Sequence, residues 1–182
     1  MFRIQQRRTS AFTGGGGATT YDGFKVKMAH ANWIGLYEIR MTDQDSSEFC
    51  DALTALTETA ATTYAAVSAG EIATDSTYGA DATRARIVDT QPDISDSADS
   101  PGSVEWSTSS GSGIEIYVKP STDRTIKYVD ICIATNYGDP ISGVSLTDGS
   151  DNVITIVSAP ADINDVYQTT SVATAKWFRW EF

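Results

Sequence analysis

The chain has 182 residues, 41% of them hydrophobic and 10% aromatic, and a formal net charge of −11 at pH 7. That length suits one domain that buries about 70% of its unfolded surface, and the apolar share excludes a disordered acidic tail. No run approaches the roughly eighteen apolar residues of a membrane span, and the opening residues lack the apolar segment of a secretion signal, so neither membrane insertion nor secretion is expected.

Residues 1–20 contain Arg3, Arg7 and Arg8, no acid, and four consecutive glycines from Gly14 to Gly17. Glycine runs act as hinges or spacers because each residue keeps wide backbone freedom. These residues read as a basic arm on a single body spanning 21–182. Residues 1–40 carry six Lys/Arg against two acids (+4), and residues 41–182 carry seven against twenty-two (−15). So acidic a body repels phosphate backbones, which argues against nucleic acid as the main ligand. The arm suits a carboxylate-rich protein surface, most economically another copy of the same body or another acidic member of the same assembly. Arg3, Arg7 and Arg8 would pair with carboxylates there while Phe2, Ile4 and Phe12 fill apolar sites.

The body reads as strands. "FKVKM" alternates Phe24, Val26 and Met28 with Lys25 and Lys27, and "GIEIYVK" alternates Ile114, Ile116 and Val118 with Glu115, Tyr117 and Lys119, the period of a half-buried strand. "CDALTALTETAA" offers a short helix with Leu53, Leu56 and Ala60 on one face, against the poor helix propensity of its threonines. "IKYVDICIA" and "VITIV" read as further strands, and "LTDGSDNVITIV" as a hairpin. In the closing "KWFRWEF", Phe178, Trp180 and Phe182 share one face and Trp177, Arg179 and Glu181 the other, which makes one of the paired tryptophans an expected interface contact. Trp33 and Trp106 read as core. Short strands between Gly, Asp and Ser turns predict an all-β antiparallel sandwich. Cys50 and Cys132 are too few for a disulfide framework and are expected as free core thiols.

The order "GLYEIRMTD", "TAATTYAAV", "ARIVDTQPD", "VEWSTSSGSGIEIYV", "YVDICIATNYGDPISGVSLTDGSDNVITI" resembles discoidin-like domains of the galactose-binding jelly-roll group, including versions in phage virion proteins. Asp89, Trp106 and Ser107 fall where that group places an aspartate turn and a Trp-Ser segment, and "KWFRWEF" resembles its last strand, which returns beside the first. The resemblance covers about residues 21–182 and implies a jelly roll whose end loops bind ligands. Sugar sites in such loops stack a ring on an aromatic side chain and fix its hydroxyls with polar groups, so Tyr78, Arg84, Asn136 and Tyr137 are candidate glycan contacts. Members of the group often hold calcium near such turns. Asp89, Asp93, Asp96 and Asp99 supply hard oxygens within eleven residues, which fits either a calcium site or a plain acidic loop; no other cofactor is expected.

Catalysis has little footing in the sequence. The single histidine, His30, has no Ser or Cys partner motif, and neither G-x-S-x-G nor H-E-x-x-H occurs. The expectation is a non-enzymatic virion structural protein, a capsid decoration or a tail or baseplate component assembled in the host cytoplasm. It would form homo-oligomers and join other virion proteins through the arm. The alternative is a carbohydrate-binding module for host-surface glycans.

Overall fold

The computed structural model describes residues 18–29, 33–50, 56–59, 61–74, 104–107, 114–135, 141–170 and 173–182. Twelve strands occur among them: β1 (Phe24–Met28), β2 (Trp33–Thr42), β3 (Glu48–Cys50), β4 (Thr57–Glu58), β5 (Glu71–Thr74), β6 (Val104–Ser107), β7 (Ile114–Lys119), β8 (Tyr128–Ala134), β9 (Val144–Asp148), β10 (Val153–Ile154), β11 (Gln168–Thr169) and β12 (Ala175–Glu181). They form two sheets. The first runs β10-β9-β1-β7-β5-β4, the second β11-β12-β8-β2-β3, with β6 also paired to β2. Every pairing is antiparallel except β4 with β5, and the expected all-β sandwich is what the chain builds.

Alternation explains which face each strand buries. Phe24, Val26 and Met28 are fully buried, as are Ile116 and Val118 opposite them, whereas Lys25 and Lys27 are half-buried on the other side. The second sheet contributes Val129, Ile131 and Ile133 from β8 and Phe178 and Trp180 from β12, and one core cluster joins these to the inner side chains of the first sheet. Burial of each large apolar side chain stabilises the sandwich by about 1.5–3 kcal/mol. In β2 the period breaks: Leu36 and Ile39, three apart, are both buried, because the register against β8 shifts between Leu36 and Glu38. This bulge returns Ile39 and Met41 to the core and turns Glu38 and Arg40 outward. At the start of β9, a Cβ on Gly143 would fall on the carbonyl of Ala29, whose N–H donates to the Gly143 carbonyl at 3.0 Å. Only glycine lets the two backbones approach so closely there.

Three expectations are corrected. Thr57 and Glu58, inside the expected helix, form a strand: the Thr57 and Thr59 N–H groups donate to the Gly70 and Ile72 carbonyls at 2.8 and 3.0 Å. The β-branched threonines that weaken a helix suit this pairing; residues 51–55 lie outside the described residues. Tyr117, on the outward face of β7, is buried against Val67, Ala73 and Tyr64, since the segment 61–70, with a 3-10 turn at Tyr64–Ala66, folds over that sheet. The last strand does not return beside the first: β12 pairs with β8 and β11, and β1 lies in the opposite sheet.

The hairpin is present as β9 and β10. The Asp148 carboxylate accepts the N–H groups of Ser150 and Asn152 at 2.8 and 2.9 Å, and Asp151 takes a left-handed backbone (φ 67°). The Asn152 amide, which donates to the same carboxylate at 2.9 Å, is the main reason the Asp148 pKa lies below the usual carboxylate range.

Candidate functional site: an aromatic and acidic cleft on the second sheet

On the outer face of the second sheet, strand register sets three charges in a row: Arg40, Asp130 and Arg179 lie directly across from one another on β2, β8 and β12. Asp130 is 3% exposed, and a carboxylate that buried needs a partner. Arg179 supplies it with a two-pronged contact, Nε to Oδ1 at 2.7 Å and Nη2 to Oδ2 at 2.6 Å. The same contact raises the basicity of the guanidinium above its ordinary value. Arg40 turns instead to Glu38, at 3.4 Å, and lies over the ring of Trp177, 3.8 Å from its centre.

Two tyrosines sandwich Arg179. Its Cζ lies 4.2 Å from the ring centre of Tyr128 and 3.7 Å from that of Tyr167, a stacked geometry that the planar guanidinium favours. Tyr128 comes from β8, directly opposite Glu181. Tyr167 comes from the connection that follows β10, where Asp162 and Asp165 close turns by accepting the N–H groups of Asn164 and Ala161 at 2.7 and 2.9 Å. That connection is stitched to β12 by Val157 N–H donating to the Glu181 carbonyl at 2.7 Å and by Tyr167 N–H donating to the Trp177 carbonyl at 2.9 Å.

These elements enclose an open cleft of about 230 Å³ lined by Tyr128, Pro160, Asp165, Tyr167, Arg179 and Glu181, among others. Arg179 is held by Asp130, so its charge is already matched. The carboxylates of Asp165 and Glu181 make no ion pair among the described residues. The cleft therefore presents aromatic faces and two acceptor groups, chemistry that receives a donor-rich, cationic or hydroxylated group rather than an anion.

The expected interface tryptophan is corrected here. Trp177 is buried beneath Arg40, in a small cluster with Cys132, Ala175 and Tyr37 on the outer face, while Trp180 belongs to the core. Cys50 and Cys132 are both buried thiols outside any disulfide, as expected. Burial, reinforced by Glu38 and opposed by Arg40, pushes the Cys132 thiol well above its usual range. Its folded pKa lies above its unfolded value, so this contribution to stability is complete below about pH 8.5 and is eroded as the pH rises beyond it. In native protein at about pH 8, Cys132 is expected to resist iodoacetamide and to react only on unfolding, as mass spectrometry of the alkylated chain would show.

The arm residues Phe2, Arg3, Ile4, Arg7, Arg8 and Phe12, the aspartates Asp89, Asp93, Asp96 and Asp99, the glycan candidates Tyr78, Arg84, Asn136 and Tyr137, and His30 lie outside the described residues, as do the side chains of Trp33 and Trp106. Among the described residues no group of three or more His, Cys, Asp or Glu is placed to hold a metal ion, and no helix is long and apolar enough to cross a membrane. Sequence reasoning missed Tyr128, Asp130, Tyr167 and Arg179. The available signal was the period-two pair Tyr128 and Asp130 and the outward Arg179, but their meeting depends on cross-strand register.

The fold and cleft define the chain as an all-β sandwich with an acidic, aromatic surface site. Comparison with protein-family models, with curated proteins and with solved structures finds no match.

Proposed function

We propose that this chain is a non-catalytic structural component of a bacteriophage virion, a capsid decoration or a tail or baseplate subunit that assembles through its N-terminal arm and the surfaces of its sandwich. The observation that carries the reading is the partition of charge. Residues 1–20 hold three arginines and no acid, whereas residues 128–175 hold six acids and no Lys, Arg or His. Among the described residues, the exposed large apolar side chains fall in that same base-free stretch: Val153, Val157 and Tyr167, at 76%, 72% and 49% exposure. A protein that separates charge in this way, on a rigid two-sheet body, is suited to joining acidic neighbours end to face.

Each exposed ion pair made by Arg3, Arg7 or Arg8 contributes at most about 1 kcal/mol. Covering Phe2, Ile4 and Phe12 contributes more, about 1.5–3 kcal/mol for each fully buried side chain. Deleting residues 1–20 is expected to leave a folded body that no longer assembles. Light scattering and near-UV circular dichroism on both chains test this; a truncated chain that oligomerises or enters particles like the full one overturns the reading.

A further inference from the structure

We infer that the cleft formed by Tyr128, Tyr167, Asp165 and Glu181 is the docking site for the basic N-terminal arm of a second copy of this chain. The inference rests on the assembly reading above and names the surface that reading leaves open.

Charge complementarity comes first. Asp165 and Glu181 line the cleft without a basic partner among the described residues, and the arm is the one long stretch of this chain with arginines and no acid. The second match is in shape and polarity. A tyrosine face beside a carboxylate is a receptor for a guanidinium, which stacks on the ring and pairs with the acid at once, and the molecule already uses that arrangement once, in Arg179 between Tyr128 and Tyr167. Val157, 72% exposed beside the cleft, gives the apolar side chains of the arm a surface to cover.

Reach and direction favour a neighbour. Seventeen residues precede Ala18 and span up to about 55–60 Å when extended, well beyond the roughly 16 Å radius of gyration of a body of this size. The chain enters the body at Tyr21, which bridges Arg124 next to β1 in the first sheet, whereas the cleft opens on the outer face of the second. An arm bound to its own cleft must run round the edge of the sandwich. Two copies that exchange arms about a two-fold axis fill both clefts with one repeated contact.

The test uses the full chain and two sets of substitutions that preserve shape: Asp165→Asn with Glu181→Gln in the cleft, and Arg3→Gln, Arg7→Gln and Arg8→Gln in the arm. Sedimentation equilibrium at low and high salt reads the self-association, with circular dichroism confirming the fold. The full chain is expected to self-associate less tightly as salt rises, and each set to weaken it by about tenfold or more, at up to about fivefold per exposed pair. A mixture of the two variants should recover part of the lost association, because a mixed pair restores one of its two contacts, the intact arm of one variant in the intact cleft of the other. If the arm set abolishes association and the cleft set does not, the assembly reading stands and the cleft assignment falls. If neither set changes it, both fall. Loss with either set but no recovery on mixing places the arm in its own cleft and overturns the exchange. Normal association of the cleft set together with lost binding on a glycan array makes the cleft a sugar site and overturns the inference as well.

Discussion

Trp180→Ala is expected to lower the unfolding free energy by about 3–5 kcal/mol, the range for removing a large aromatic side chain from a packed core. Trp180 is 1% exposed and belongs to the core cluster that joins the two sheets. On β12 it stands opposite Val129 of β8, whose side chain is fully buried in the same cluster. Alanine would leave a void bordered by both sheets, and strands tied by backbone ladders on each side cannot collapse far to fill it. At about 2–4 °C per kcal/mol for a domain of this size, the midpoint should fall by about 10 °C or more. Trp180→Phe keeps much of the volume and should cost distinctly less. Urea unfolding followed by circular dichroism measures both; a loss below about 1 kcal/mol for Trp180→Ala would mean that the sheets are not held together at this point.

Arg179→Ala is expected to cost about 3–5 kcal/mol, and Asp130→Ala less. The asymmetry follows from burial: the Asp130 side chain is 4% exposed and that of Arg179 is 29%. Removing the arginine strands a buried carboxylate, whereas removing the aspartate leaves a guanidinium that water reaches and that two tyrosine rings still flank. Replacing the pair together with apolar residues of similar volume, Asp130→Leu with Arg179→Met, should recover most of the loss, because no unmatched charge then remains. A double-mutant cycle in urea reads the coupling. If Asp130→Ala proves the more damaging single change, the buried carboxylate is not what makes this pair costly to break. Arg179→Ala also removes the group on which Tyr128 and Tyr167 stack, so it should loosen the cleft itself. Self-association should then weaken at temperatures where the variant is still folded.

Strands whose side chains alternate can be read directly from the amino-acid order. In β1, β7 and β12 the positions of Phe24, Val26, Met28, Ile114, Ile116, Val118, Phe178 and Trp180 are sufficient to assign strand and buried face, since period two has one physical reading when half a sheet faces a core. The β9–β10 hairpin was equally legible, because an aspartate that caps its own turn is a local device. The charge partition between arm and body also needs no coordinates.

The remaining features arise from folding in three dimensions, and in each case the cause is a contact between residues distant in the chain. Thr57 and Glu58 are a strand because the backbone of β5 lies beside them. The bulge in β2 is what turns Glu38 and Arg40 outward, and Trp177 is buried because Arg40, 137 positions earlier, covers it. The assignment of β12 to the sheet opposite β1 is a matter of topology that alternation does not encode. The cleft depends on this most of all. Tyr128, Asp130, Tyr167 and Arg179 meet through the register of β8 on β12 and the path of one connecting segment, and a shift of one residue in that register would send every one of the strand side chains to the other face.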